Sequence, residues 1–183
     1  MKGIIFNLLE QVVSEEYDEK TWEALLDGAK LDGAYTAVGS YPDEDLLALV
    51  GAASTALGTP ADDVVRWFGR KAMPLMVQRY PQFFEGHEST RPFLLSLNDI
   101  IHPEVRKLFP GAYAPSFIFD ESVPGKLSLS YVSQRNLCPF AEGLIDGAAD
   151  HFGETVTIEH SECQRRGGAN CVLVCTFEPK GSD

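Results

Sequence analysis

Long apolar runs are absent from this chain of 183 residues, and none approaches the roughly 18 residues that a membrane-spanning helix needs. Basic residues are scarce as well. Lys and Arg number 15 against 27 Asp and Glu, a net charge of −12, and the first 50 residues hold 11 acids and 3 bases. Proteins that grip nucleic acid draw most of their non-specific affinity from a basic surface, so that function class is all but excluded. Anionic membrane surfaces are disfavoured for the same reason. The opening MKGIIFNLLEQ meets Glu10 too early for a secretory signal and lacks a small-residue cleavage site. Nucleophile-elbow, P-loop and paired-carboxylate patterns are missing, which leaves an enzyme weakly supported. Internal repeats and low-complexity tracts are missing too. What is present, 44% hydrophobic residues, suits a soluble, acidic, cytoplasmic protein with a real core.

The first 110 residues read as helices. Ile4, Ile5, Leu8, Leu9, Val12 and Val13 recur at helical spacing, and Trp22, Leu25 and Leu26 mark a second helix. Pro42 followed by Asp43, Glu44 and Asp45 is an acidic start for a third. Thr59 as N-cap, with Pro60 at the first helical position, opens a fourth carrying Val64, Val65, Trp67 and Phe68. A further helix is expected from about Arg91 to Leu108. Beyond it the pattern changes to strands: Phe117–Phe119, a Pro124-Gly125 turn, and a run from Lys126 to about Arg135. One more helix holds Gly143 to Phe152, and two last strands lie near 155–160 and 171–177. Helices first and strands later imply α+β with an antiparallel sheet.

Two constellations stand out. His102 sits on an otherwise apolar helix face, directly before Pro103, which should kink the helix there. A lone histidine in that setting is usually a satisfied core residue, but a neutral imidazole on an apolar wall is also how a chain presents a ligand to haem iron. In Leu127-Ser128-Leu129-Ser130-Tyr131-Val132-Ser133-Gln134-Arg135, strand alternation places Leu127, Leu129, Tyr131, Ser133 and Arg135 on one face. The plain alternative is a strand running out to solvent. Three converging donors beside apolar residues better suit a bound carboxylate, which arginine clamps through two bonds.

The second constellation is the cysteines, Cys138, Cys163, Cys171 and Cys175, which in an acidic cytosolic chain are poor candidates for structural disulfides. With His160, the spacing His160-x2-Cys163-x7-Cys171 plus Cys138 suits a closed tetrahedral zinc site, against the alternative of scattered buried thiols. Cys175 shares strand parity with Cys171 and is the reserve ligand. His87, His151, Trp22 and Trp67 read as structural.

Taken together, the Met1-Lys2-Gly3-Ile4-Ile5 start, His102 before Glu-Val-x-Lys-Leu, Pro115, Tyr131-x-Ser133-x-Arg135 and Gly143-Leu144-Ile145-Asp146-Gly147 resemble the haem–nitric oxide/oxygen-binding (H-NOX) domain over nearly the whole chain. The resemblance implies one domain spanning 1–183, with a distal helical lobe to about residue 60, proximal helices and a C-terminal sheet beyond, and haem b between them. It makes His102 the iron ligand, Tyr131, Ser133 and Arg135 the propionate anchors, and Pro115 a wedge that distorts the porphyrin. Ile5, Leu9, Phe140 and Leu144 would line the distal pocket. Oxygen-binding members carry a tyrosine where this chain has Phe140, and Ala72 falls where some carry a polar partner, so the resemblance points to NO (and CO) rather than oxygen. A bacterial subset has zinc ligands matching Cys138, His160, Cys163 and Cys171. The expected output is to a separate partner, a histidine kinase or a cyclic-di-GMP enzyme (diguanylate cyclase or phosphodiesterase). The rival is a haem-free zinc–thiol redox sensor.

Overall fold

The structure is a computed structural model and describes residues 1–181. Among the described residues it has seven α-helices and a four-stranded antiparallel sheet, an α+β fold. The helices are α1 (Gly3–Glu16), α2 (Glu19–Ala29), α3 (Asp43–Leu57), α4 (Ala61–Arg79), α5 (Thr90–Leu95), α6 (His102–Leu108) and α7 (Cys138–His151). The strands are β1 (Ser116–Asp120), β2 (Lys126–Val132), β3 (Glu154–Glu162) and β4 (Cys171–Pro179), in the spatial order β1-β2-β4-β3. No helix of the described residues is long and apolar enough to cross a membrane.

Two apolar cores share one helix. The first packs α1 (Phe6, Leu8, Val12) against Trp22, Leu49 and the Val64, Phe68, Ala72 face of α4. The second lies between the inner face of the sheet (Leu127, Leu129, Leu173), α7 (Ala141, Ile145, Ala148) and Met73 of α4. So α4 serves both, and its crossing with α7 joins them. Glycine makes that crossing possible. A Cβ at Gly143 would lie 2.0 Å from the Arg66 carbonyl oxygen, and one at Gly147 would lie 2.5 Å from the Met73 Cβ. Both neighbours belong to a packed helix and cannot swing aside, so Gly143→Ala should push α7 off α4. Overpacking of this kind costs about 1–3 kcal/mol, read as a lower midpoint in urea denaturation; an unchanged midpoint would show that the helices can part freely.

Four local expectations are corrected. Thr59 is not the N-cap of α4: extended Pro60 (φ −53°, ψ 139°) holds that position, its carbonyl accepting from Asp63 and Val64, and the helix starts at Ala61. His102 does not leave α geometry before Pro103 (φ −66°, ψ −35°). The irregularity lies upstream, where the Ile101 N–H reaches back five residues to Ser96 and the His102 N–H to Leu97, a widened π turn over Leu97–Ile101. The long helix expected from Arg91 is therefore α5, this turn and α6 in succession. Strand β2 also stops at Val132, three residues short of Arg135.

Candidate functional site

A cavity opens between the two cores, walled by Ile4, Ile5 and Leu8 of α1, Met73 and Met76 of α4, Leu129 of β2 and Phe140 and Leu144 of α7. Leu9 is not on this wall. A helix turns about 100° per residue, and the stripe facing the cavity runs through Ile5 and Leu8, which turns Leu9 into the first core. Phe140 stacks on Phe68 with ring centroids 5.2 Å apart, so its ring is held in place from behind.

His102 lies on the cavity wall beside Pro115 and Phe117, its ring 6.1 Å from that of Phe117. Burial, with the positive charge of Arg106, pushes the imidazole down to about 4, against the opposing pull of the Pro115 carbonyl. The ring is neutral at neutral pH. Its Nδ1 is buried and makes no well-formed hydrogen bond among the described residues, that carbonyl included. A buried polar atom left so costs about 1–3 kcal/mol, a cost a purely structural residue would avoid. The π turn that carries it is pinned to β1 by Asn98, whose Nδ2 donates to the Phe117 carbonyl (2.6 Å) and whose Oδ1 accepts the Phe117 N–H (3.1 Å).

Tyr131, Ser133 and Arg135 do line one corner of the cavity. Tyr131 gets there by strand alternation, on the buried face of β2 with Leu127 and Leu129, but Ser133 and Arg135 lie beyond the strand and do not. After β2 ends, a turn through left-handed Asn136 (φ 53°) swings the chain into α7. The Arg135 N–H donates to Ser133 Oγ at 3.2 Å. The guanidinium donates to Asp43 Oδ2 (2.6 Å) and the Tyr113 carbonyl (2.6 Å), and stacks 5.1 Å from the Tyr113 ring. Burial pushes the Asp43 carboxyl up, but hydrogen bonds from the N-terminal ammonium and Arg135 outweigh it and hold the group below the usual range. The corner thus already holds a carboxylate, supplied by α3.

Behind this corner lies the cysteine cluster. Sγ of Cys138, Cys163 and Cys171 and a ring nitrogen of His160 all lie within 4.8 Å of one another. Each comes from a different place: Cys138 from the first turn of α7, Cys163 from the residue after β3, Cys171 from the first residue of β4, and His160 from β3 itself. Backbone register explains how close the two sites are, since Tyr131 pairs with Cys171 across β2 and β4. Burial and the other two thiols hold the Cys138 thiol well above its usual value. At Cys163 burial acts the same way, but backbone N–H groups of Arg165 and Arg166 and the neighbouring thiols prevail and lower it. Cys175 is outside the cluster, opposite Leu127 and Ile158, and burial pushes it up to about 12.

Residues 2–160 match the family profile described as Haem-NO-binding. The chain belongs to the haem-NO-binding (H-NOX) family. Its fold superposes on an H-NOX protein of S. oneidensis in the Fe(II)NO state with a TM-score of 0.91 at 32% identity, covering 97% of this chain and 99% of that one. The IWP-051-bound H-NOX of Shewanella woodyi in the Fe(II)CO state matches with a TM-score of 0.82 at 32% identity, covering 100% of this chain and 97% of that one. A mutant form of the unliganded Fe(II) H-NOX protein of K. algicida matches at 0.84 with 25% identity, covering 97% of each chain.

H-NOX domains bind haem and act as gas sensors, and the residues here fit that group: an apolar slot, a neutral imidazole with an uncompensated nitrogen, and a cationic corner that takes a carboxylate. The cysteine cluster fits a soft, tetrahedral metal ion by donor type and number. Three further residues at these sites were not singled out as such from the sequence. Asn98 and Asp43 act through long-range bonds, Asn98 to Phe117 and Asp43 to the N-terminal ammonium and Arg135. Glu142 belongs to a visible pattern, because Glu142, Asp146 and Asp150 recur every four residues and meet Arg66 and Arg70, also four apart.

Proposed function

We propose that this H-NOX domain is a cytoplasmic sensor of nitric oxide, not a catalyst, and signals in trans to a partner such as a histidine kinase or a cyclic-di-GMP enzyme. The observation that carries the reading is the neutral, unpartnered imidazole of His102 on an apolar cavity wall. Bound haem supplies a ferrous iron able to take NO or CO. His102 is its protein ligand, and Tyr131, Ser133 and Arg135 hold the propionates, with Arg135 exchanging or sharing Asp43. Pro115, on the cavity wall beside His102, would contact the bound group. A shift of His102 would reach β1 through Asn98, whose amide bonds Phe117 at both its N–H and its carbonyl. Cys138, His160, Cys163 and Cys171 bind one zinc.

The visible spectrum of the purified protein tests this. A Soret band that moves when NO is added to the ferrous form supports it, and a colourless protein that fails to take up added haem overturns it. Arg135→Ala should speed haem transfer to an acceptor protein. A charge-assisted bond is worth about 1.5–3 kcal/mol, roughly tenfold to a hundredfold in rate, and equal rates would remove Arg135 from the site.

Selectivity for NO over oxygen follows from Phe140, Ile5 and Leu144, which offer no hydrogen-bond donor to a bound gas. Bound oxygen takes on negative charge and gains from a donor, whereas NO needs none. Phe140→Tyr adds one hydroxyl, worth about 0.5–1.5 kcal/mol in a net hydrogen bond and more to a charged acceptor. Oxygen affinity should rise roughly threefold to tenfold or more, while NO affinity barely moves. A long-lived oxygen complex of the unmodified protein in air would contradict this, and would direct attention to Tyr80, a phenol on the same cavity wall.

A second reading, a zinc–thiol redox sensor, rests on the 3.8 Å approach of the Cys138 and Cys163 sulfurs. Haem uptake separates the two.

A further inference from the structure

Glu142 is one helical turn beyond Cys138 on the same face of α7, and both point at β3. It is buried to 8% exposure, unusual for a carboxylate. Oε1 accepts from His160 Nδ1 at 2.6 Å, and Oε2 accepts from Arg66 Nη1 at 2.9 Å. Arg66 in turn holds Asp146 through Nε (2.7 Å) and Nη2 (3.2 Å). The other nitrogen of His160, Nε2, is buried and has no partner among the described residues.

These facts form one arrangement. A carboxylate can only accept, so Nδ1 carries a hydrogen, and in the neutral imidazole that a metal ion needs the lone pair then lies on Nε2. Nε2 is the orphan, and a ring nitrogen of His160 lies within 4.8 Å of the three cysteine sulfurs. A salt bridge to Arg66 alone would not require the second oxygen of Glu142 to reach a histidine that has nothing else to bind.

We propose that Glu142 is the positioning residue of the metal centre: it fixes His160 with Nε2 toward the ion and, through Arg66, ties that centre to α4. This rests on the zinc reading above and names how that site is held. Outer partners of metal-bound histidines raise ligand basicity and orient the ring, and removing one typically weakens metal affinity by 10–100-fold. The link to α4 matters because α4 also forms the cavity wall at Met73 and Met76. The ion would therefore brace the α4–α7 pair from the side opposite the cavity.

The test is zinc affinity of the full chain under reducing conditions, measured by competition with a chromophoric chelator, for the unmodified protein, Glu142→Gln and Arg66→Met. Glu142→Gln keeps shape and loses charge, and should weaken zinc binding roughly 10–100-fold. Arg66→Met leaves the Glu142–His160 bond and should change affinity by no more than about threefold. Equal weakening by both variants would reduce Glu142 to a salt-bridge partner and overturn the proposal, as would a Glu142→Gln protein that binds zinc like the unmodified one. If the unmodified protein itself binds no zinc, the zinc reading falls with it. Should Glu142→Gln fail to fold, imidazole 15N shifts of the zinc-loaded unmodified protein decide: Nδ1 protonated with Nε2 on the metal is expected, and the reverse pattern overturns the assignment.

Discussion

His102→Gly should produce a protein that retains haem poorly until imidazole is added, while the haem-free chain is almost as stable as before. The two halves of that result come from different terms. Glycine in this helical segment costs about 1 kcal/mol relative to a good helix former, and the lost ring leaves space in the wall. Against this, the variant no longer buries an unpartnered Nδ1, a relief of about 1–3 kcal/mol. The sum lies near zero for the empty chain. Haem retention has no such compensation, because no other histidine among the described residues lines the cavity, and a fall of at least about tenfold is expected. Millimolar imidazole should fill the vacated place and restore the ferrous spectrum. If His102 were a core residue, the order would invert: stability would drop by several kcal/mol and added imidazole would change nothing. Chemical denaturation of the haem-free variant and spectra with and without imidazole distinguish the two outcomes.

The elements whose burial repeats at a regular period were readable in advance, and the places where the period breaks were not. α1, α3 and α7 show apolar residues at helical spacing, and β2 to β4 show alternation. The antiparallel sheet followed from helices giving way to strands, and the family from motifs spread along most of the chain. Departures cluster where tertiary contacts override local pattern. Parity was extrapolated from Leu127 to Arg135, but β2 ends at Val132, and Arg135 reaches the corner through a turn pinned by Ser133 and drawn by Asp43, 92 residues earlier. A proline next to His102 announced an irregularity without saying on which side it would fall. The π turn falls upstream because Asn98 is occupied by β1. Leu9 and Leu8 are both apolar, and only the position of the cavity decides between them. The cysteine cluster was the reverse case. Its residues are spread from Cys138 to Cys171, yet donor type and spacing pointed to the same four that the fold gathers within 4.8 Å.

Cys171→Ala should empty the metal centre, and the damage should reach the cavity. Cys171 opens β4, is fully buried, and pairs with Tyr131 across the sheet, while Cys138 opens α7 three residues after Arg135. The ion would therefore clamp both ends of the segment that carries the cationic corner of the cavity. Structural zinc contributes apparent binding energies of about 10–16 kcal/mol in small peptide sites, so losing one of three thiolates should take elemental zinc from one per chain to none at ordinary concentrations. With the clamp gone, Tyr131 and Arg135 lose a fixed backbone, and haem transfer to an acceptor should quicken even though no residue touching the cavity has changed. Cys175→Ala is the control. Its thiol is buried, pushed up to about 12 and outside the cluster, so that variant should keep its zinc and its haem transfer rate. Zinc lost in Cys175→Ala but kept in Cys138→Ala would mean the fourth ligand had been misassigned. Zinc lost in Cys171→Ala with haem transfer unchanged would mean that the two sites, though back to back, are mechanically independent.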